Sequence, residues 1–309
     1  MIEIEYSIDM VRLKTKVHNL IFQDFVSKNL DLNPAVTYWT NFKYAGYRHN
    51  WRIEQDPIRK EYEDDNGDLK LSTFGQAYSY WIGFHHNSEK PTEVHDLVIQ
   101  YNPNKCIPHG LLDLVLSIFF NTLSIEVVSI DVAMDIPINI NRLIIDKYRK
   151  HTYKLFDNGG DDKTHYIGKG DGRIKIYNKA NELGIDGDLT RYEITKNIRL
   201  PIGSVIDDRY EFRGEVMPLG YIEGESMNID DKTLYSQYWA VVNGYPIGEL
   251  SRRYRERVRE LILNHASIDF DVKKISQTIR TWFKGYSSIY IYDYNAKYNY
   301  NGKVVDSKG

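Results

Sequence analysis

With one cysteine, Cys106, in 309 residues, the chain can close no internal disulfide and assemble no multi-thiolate metal site. A reducing, cytoplasmic setting is therefore the expectation. Long apolar runs are also missing, since none approaches the roughly 18 residues of a membrane helix. The opening MIEIEYSIDMVRLKTKVHNL has no basic segment followed by an apolar one, so neither export nor membrane insertion is expected. The nine histidines form no HExxH, and His85 and His86, adjacent on a strand, would point to opposite faces. No nucleophile elbow and no dinucleotide fingerprint occur, which sets aside acyl transfer, zinc hydrolysis and Rossmann-type cofactor binding. A large excess of charge is absent too, the net value being −3.

Within that balance the charge is uneven. Residues 163–199 hold eight Lys and Arg against five Asp and Glu, and residues 249–284 hold nine against five. Local positive potential of this kind, interleaved with 25 tyrosines, suits a polyanion and stacked bases, although strands also favour aromatic residues. A composition of 42% hydrophobic and 27% charged residues is that of a soluble globular chain with one large or two ordinary domains.

Periodicity divides the chain into a strand-rich part, residues 1–230, and a helical part, residues 231–309. Helices are expected in KVHNLIFQDFVSKNL and HGLLDLVLSIFFNTL, and a basic amphipathic one in NRLIIDKYRKHTYKLF. VTYWTNFKYAGYRHNWRIEQ reads as a hairpin turning near Ala45 and Gly46, and SYWIGFHH, DLVIQYNPNK and VVSIDVAMDIPI read as strands. YEDDNGDLK reads as an acidic loop and DDRYEFRGEVMPLGYIEG as a further strand pair. After residue 230, TLYSQYWAVVNG, IGELSRRYRERVRELILNHA and DFDVKKISQTIRTWFKGY have helical spacing, and the Tyr-rich tail is a hairpin or a frayed end. Strands first and helices later indicate an α+β fold on a largely antiparallel, curved sheet.

In IGKGDGRIKIYNKANELGIDGDLTRYEI the pair Asp171-Gly172 is a two-residue hairpin signal between THYIG and RIKIYNK. A period of two places Arg173, Lys175, Tyr177 and Lys179 on one face, with Ile174 and Ile176 facing the core. Three cations around Tyr177 would stabilise its phenolate and hold a phosphate against it, as a phosphoryl-transfer nucleophile requires. Tyr166 and Tyr192 are the neighbouring tyrosines that could serve instead. In SIDVAMD, Asp131 and Asp135 share a face but stand about 13 Å apart by strand rise, too far to share one ion directly. Arg191 and Glu193 share a face in LTRYEITK. Asp131 and Glu193 on adjacent strands could hold a hard divalent cation, and ion pairs with neighbouring Arg and Lys are the alternative. On the helix ELSRRYRERVRELILNH, Leu250, Tyr254, Val258 and Leu261 form the buried stripe. Arg252, Arg255 and Arg259 then lie along one outer edge, either as a phosphate-binding ridge or as a solvated face with an Arg252–Glu256 pair.

The order YIGKGDGRIKIYNKANE then RYEI, preceded by SIDVAMD and VIQYNPNK, resembles the Rep_trans family over roughly residues 80–220. These are replication initiators of small Gram-positive rolling-circle plasmids, with related relaxases of integrative conjugative elements and some phage initiators. The resemblance implies a bacterial endonuclease-like enzyme that nicks and rejoins hairpin origin DNA, with Tyr177 forming a 5′-phosphotyrosyl link and freeing a 3′-hydroxyl. It implies Mg²⁺ or Mn²⁺ held by Asp131 and Glu193, with Asp135 in support, and Arg173, Lys175, Lys179 and Arg191 on phosphates. A homodimer and a host helicase partner are implied as well. Ser129 stands where many relatives carry arginine, and the C-terminal region matches no particular plasmid member. The alternatives are a conjugative relaxase, a non-catalytic DNA-binding protein of the same fold, and a structural protein with solvated charged faces.

Overall fold

The computed structural model describes residues 2–40, 46–55, 58–63, 69–74, 78–85, 93–106, 110–120, 122, 124–145, 152–217, 219–221, 231–242, 245, 247–265 and 267–297. The elements run β1 (Glu5–His18), α1 (Asn19–Asn29), β2 (Val36–Thr40), β3 (His49–Gln55), β4 (Ile58–Glu63), β5 (Leu69–Phe74), β6 (Tyr78–Phe84) and β7 (Val94–Tyr101). Then follow α2 (Gly110–Phe120), β8 (Glu126–Ile136), β9 (Leu143–Ile145), β10 (Tyr153–Asp157), β11 (Lys163–Ile167), β12 (Ile174–Asn178), α3 (Lys179–Leu183) and β13 (Thr190–Pro201). The chain ends with α4 (Ile202–Ile206), β14 (Leu219–Tyr221), α5 (Lys232–Val242), α6 (Arg252–His265), β15 (Ser267–Ile268) and α7 (Val272–Lys297).

Ten strands form one antiparallel sheet in the order β10-β11-β12-β13-β8-β1-β7-β6-β3-β2, accompanied by small sheets β15-β14-β9 and β4-β5. The fold is α+β, as the segregation of strands and helices leads one to expect. Its first strand carries a clear period of two. Val11, Leu13, Thr15 and Val17 are buried while Arg12, Lys14 and Lys16 alternate with them, and the strand pairs with β7 from Val11↔Tyr101 to His18↔Val94.

Two compact units share the chain, each built from three segments. The first is Met1–Ser7, Ala133–Lys196 and Glu211–Ile275; the second is Ile8–Val132, Asn197–Tyr210 and Ser276–Gly309. In the first unit a core cluster joins Ile144 to Leu234, Tyr238, Val241, Leu250, Val258 and Ile262, with Tyr254 and Leu261 packed against it. The stripe expected on α6 is therefore present, widened by Ile262. In the second unit Phe22 of α1 meets Trp51 of β3 edge-on at 5.6 Å and Phe84 of β6 at 4.4 Å between ring centroids.

Three local expectations are corrected. Among the described residues of 141–156 there is no α-helix, only the end of a 3₁₀ turn at Ile140–Arg142. Leu143–Ile145 make β9 against β14, and Tyr153–Asp157 make β10 against β11. Consecutive β-branched Ile144 and Ile145 suit a short buried strand, and residues 146–151 of the expected helix lie outside the description. The stretch 207–217 is irregular rather than a strand pair, held by Arg280 Nη1 donating to the carbonyls of Asp208 and Tyr210 within the second unit's segments. Flanks of the acidic segment are strands, β4 and β5, while 64–68 lie outside the described residues, as do Ala45 of the expected turn, His86 and the tail from 298. The tyrosine-rich sequence up to Lys297 belongs to α7.

Candidate active site

Strand β12 is positioned from both sides. It pairs with β11 through Thr164↔Tyr177 and Tyr166↔Lys175, and with β13 through Lys175↔Glu193 and Tyr177↔Arg191. The connection between β11 and β12 is a six-residue loop, 168–173, rather than a two-residue hairpin. Gly170 (φ 61°) and Gly172 (φ 73°) supply left-handed backbone there, and Gly172 N donates to the carbonyl of Thr195 at 2.8 Å. The glycines thus shape a turn, as their sequence context indicates, but a longer one.

The register brings Lys175, Tyr177, Arg191 and Glu193 onto one face. Tyr177 is only 7% exposed, and its hydroxyl donates to Glu193 Oε1 at 2.7 Å. Lys175 Nζ sits 3.7 Å from Glu193 Oε2 and 3.8 Å from the centre of the Tyr177 ring. Burial pushes the Tyr177 phenol well above its ordinary ionisation range, and the Glu193 carboxylate pushes it further, while Arg191 opposes them weakly. The expectation of a stabilised phenolate is reversed: the resting phenol is neutral and hydrogen-bonded to a carboxylate. The ring's open side faces a polar pocket of about 540 Å³ that Lys163, Thr164, Tyr166, Asn181 and Glu182 also line.

The remaining candidates are distributed differently. Lys179 reaches the Tyr177 ring from outside the strand: Asn178 caps the backbone of Asn181, so Lys179 opens α3, buried, with Nζ 2.9 Å from Glu182 Oε2 and 5.9 Å from the centre of the Tyr177 ring. Arg173 lies in the loop and donates to Thr195 Oγ1 at 3.2 Å. Arg191 and Asp135 form a two-pronged pair, both contacts 2.6 Å, which commits each to the other. Asp131 lies half-buried on β8 in the second unit, whereas Asp135 and Glu193 belong to the first. Tyr192 is fully buried with its hydroxyl accepting from Met217 N, which removes it as an alternative nucleophile; Tyr166 lines the pocket. Among the described residues no group of three or more His, Cys, Asp or Glu is gathered to hold a metal.

On α6 the three arginines do not share one open edge. Arg252 is exposed and lies 3.4 Å from Glu256. Arg255 Nη2 folds back to the carbonyl of Leu250 at 3.3 Å, and Arg259 has buried guanidinium nitrogens. Sequence reasoning missed Lys163 and Glu182. The first was legible once β11 was registered against β12, because Thr164 stands opposite Tyr177.

No family model matches the chain, and no curated protein matches it. A solved structure that is similar is a rolling circle replication initiator protein from Geobacillus stearothermophilus. It is 15% identical, with 84% of this chain and 97% of that one covered and a TM-score of 0.35. At that level of likeness this chain inherits neither fold nor function from it.

Proposed function

We propose that the protein nicks and rejoins DNA at a specific site as a rolling-circle replication initiator, with Tyr177 as nucleophile. The observation that carries this reading is the Tyr177–Glu193 hydrogen bond of 2.7 Å beside a polar pocket with Lys163 and Lys175 on its walls. A neutral phenol needs a base within hydrogen-bond reach, and Glu193 is that base. As the phenolic oxygen attacks phosphorus, its proton passes to Glu193 Oε1. The bond from phosphorus to the 3′-oxygen breaks, and that oxygen takes a proton from solvent, leaving a free 3′-hydroxyl and a 5′-phosphotyrosyl link. Lys175, held between the ring and Glu193, offsets charge on the phosphate and steadies the ionised base.

Mg²⁺ or Mn²⁺ belongs to the same proposal. Beside Lys163 and Lys175 the pocket's described lining offers carboxylate, amide and hydroxyl oxygens, the donor types a hard cation takes together with water and phosphate ligands. Glu193 would be its ligand within the first unit, and the ion, when bound, would polarise the phosphoryl oxygen. Asp135, already paired with Arg191, acts only at a distance. Origin DNA, a host helicase, a homodimer and a bacterial cytoplasmic setting complete the reading.

A second reading rests on the low exposure of Tyr177: a packed tyrosine in a DNA-binding protein that cleaves nothing. Incubation with 3′-labelled single strands from the host replicon and Mn²⁺ separates the two. An SDS-resistant adduct that disappears in Tyr177→Phe supports nicking; an adduct of undiminished yield in that variant transfers the role to Tyr166. The absence of any adduct with wild-type protein leaves the packed-tyrosine reading.

A further inference from the structure

A second pocket, of about 350 Å³, opens in the second unit between α1 and the β2–β3 hairpin, within the range of about 300–1,000 Å³ usual for small-ligand sites. Its inner surface is aromatic: Phe22, Trp51 and Phe84 are all buried. Its outer wall is Tyr38, which is 50% exposed, and His49. The register explains the grouping. Tyr38 stands opposite Trp51, and Thr40 opposite His49, so the three rings fall on one sheet face. His49 lies nearly parallel to both neighbours, 14° from Tyr38 at 5.9 Å and 22° from Trp51 at 6.1 Å, while Tyr38 and Trp51 are tilted 36° from each other at 5.3 Å. Tyr38 Oη lies 2.6 Å from His49 Nδ1, which fixes the outer ring in that orientation.

Polar groups occupy the rim. Asp31 and Gln23 line the opening, and Asp31 follows α1 with its backbone N–H bonded to the carbonyl of Val26. Burial raises the ionisation range of the Tyr38 phenol, which keeps its hydroxyl protonated. An exposed ring face with a carboxylate lining the same pocket matches two parts of a nucleotide, a flat base and its hydrogen-bonding edge.

We infer that this pocket takes one unstacked base of single-stranded DNA, stacked on the half-exposed ring of Tyr38, and prefers bases with an exocyclic amine that can donate to Asp31. The inference rests on the DNA-nicking reading for its biological setting, but the pocket can be probed without any cleavage. The free 5′-monophosphates dAMP, dCMP, dGMP and dTMP are titrated into the full chain, with deoxyribose 5-phosphate as the control lacking a base. Saturation-transfer NMR, which detects small weakly bound ligands, reads out binding.

The three amino-bearing nucleotides are expected to bind, with dTMP weaker and the control silent. Tyr38→Ala, at a half-exposed position whose loss leaves the buried rings in place, should weaken both nucleotide and single-strand binding at least about fivefold. Asp31→Asn, at an exposed position, should narrow the preference over dTMP without abolishing binding. Equal signals from dAMP and deoxyribose 5-phosphate would overturn the inference by reducing it to phosphate binding. So would wild-type affinity in Tyr38→Ala, or exclusive capture of an aromatic peptide amide. A Tyr177 adduct together with failure here refutes only this pocket. Nucleotide binding without an adduct refutes nicking and leaves the base site standing.

Discussion

Two strand tyrosines, Tyr177 on β12 and Tyr38 on β2, both hold their hydroxyls in short hydrogen bonds, at 2.7 Å to Glu193 and 2.6 Å to His49. They differ in burial and in the charge of the partner. Tyr177 is enclosed and faces a carboxylate that can accept its proton; Tyr38 is half open and faces an imidazole that orients it. A hydrogen bond of the same length therefore serves two chemistries: in the first the oxygen is the reactive atom, in the second the ring face is the working surface.

Removing the oxygen from each ring tests that contrast most directly. Tyr177→Phe should abolish the covalent adduct while single-strand affinity stays within about twofold, whereas Tyr38→Phe should retain the adduct because the stacking face is kept. Adduct assays and binding titrations on both variants decide it, and loss of the adduct in Tyr38→Phe alone would dissolve the distinction. Next in size is Glu193→Gln, which keeps an acceptor for the phenol but cannot hold its proton. Single-turnover nicking should fall about 10²- to 10⁴-fold with the fold intact. A rate within threefold of wild type would make Glu193 a structural partner.

Asp135→Asn breaks a buried pair and leaves Arg191 uncompensated, so chemical denaturation should report a loss of about 3–5 kcal/mol, far more than the same change at exposed Asp31. Alkaline titration gives a smaller effect with a definite sign. The folded Tyr177 phenol binds its proton more tightly than the ordinary phenol of the unfolded chain, and Tyr210, pushed up to about 12 by burial, does the same. That stability is fully present below about pH 10 and falls as pH rises beyond it, because only the unfolded state releases the protons. Tyr177→Phe should make the decline shallower, as followed by circular dichroism. The smallest effect is expected from Arg252→Ala. If this exposed side chain meets a phosphate, the slope of log affinity against log salt should fall by up to about 0.9, and an unchanged slope would assign the helix face to solvent.

Much of this site was legible because strand alternation is a local property. Lys175, Tyr177, Arg191 and Glu193 share a face by counting in twos, and the glycines between β11 and β12 announce a turn. Identity of partners was less legible, since it depends on register between strands distant in sequence. Nothing in SIDVAMD says that Asp135 rather than Asp131 meets Arg191. Lys179 is near Tyr177 as expected but on another element, because a capping asparagine, Asn178, stops the strand one residue earlier and begins α3. The direction of the Tyr177 shift was missed because neighbouring cations can be read from spacing, but burial cannot. The fold class was readable from the succession of strand and helix periods, whereas β9 and β10 were hidden in a basic, helix-like composition.

The small sheet of β9, β14 and β15 also sets a timetable for synthesis. Ile145 pairs with Leu219, and Leu219 with Ile268, so a three-residue strand must wait for partners encoded far downstream. At translation rates of about 5–20 residues per second, the interval between β9 and β14 leaving the ribosome is roughly 4–15 s. Throughout it, Leu143, Ile144 and Ile145 have no sheet partner, and α5 and α6, which cover Ile144, are still unmade. That segment of apolar chain is open to wrong association for the whole interval, so its folding waits on synthesis rather than on its own strand propensity.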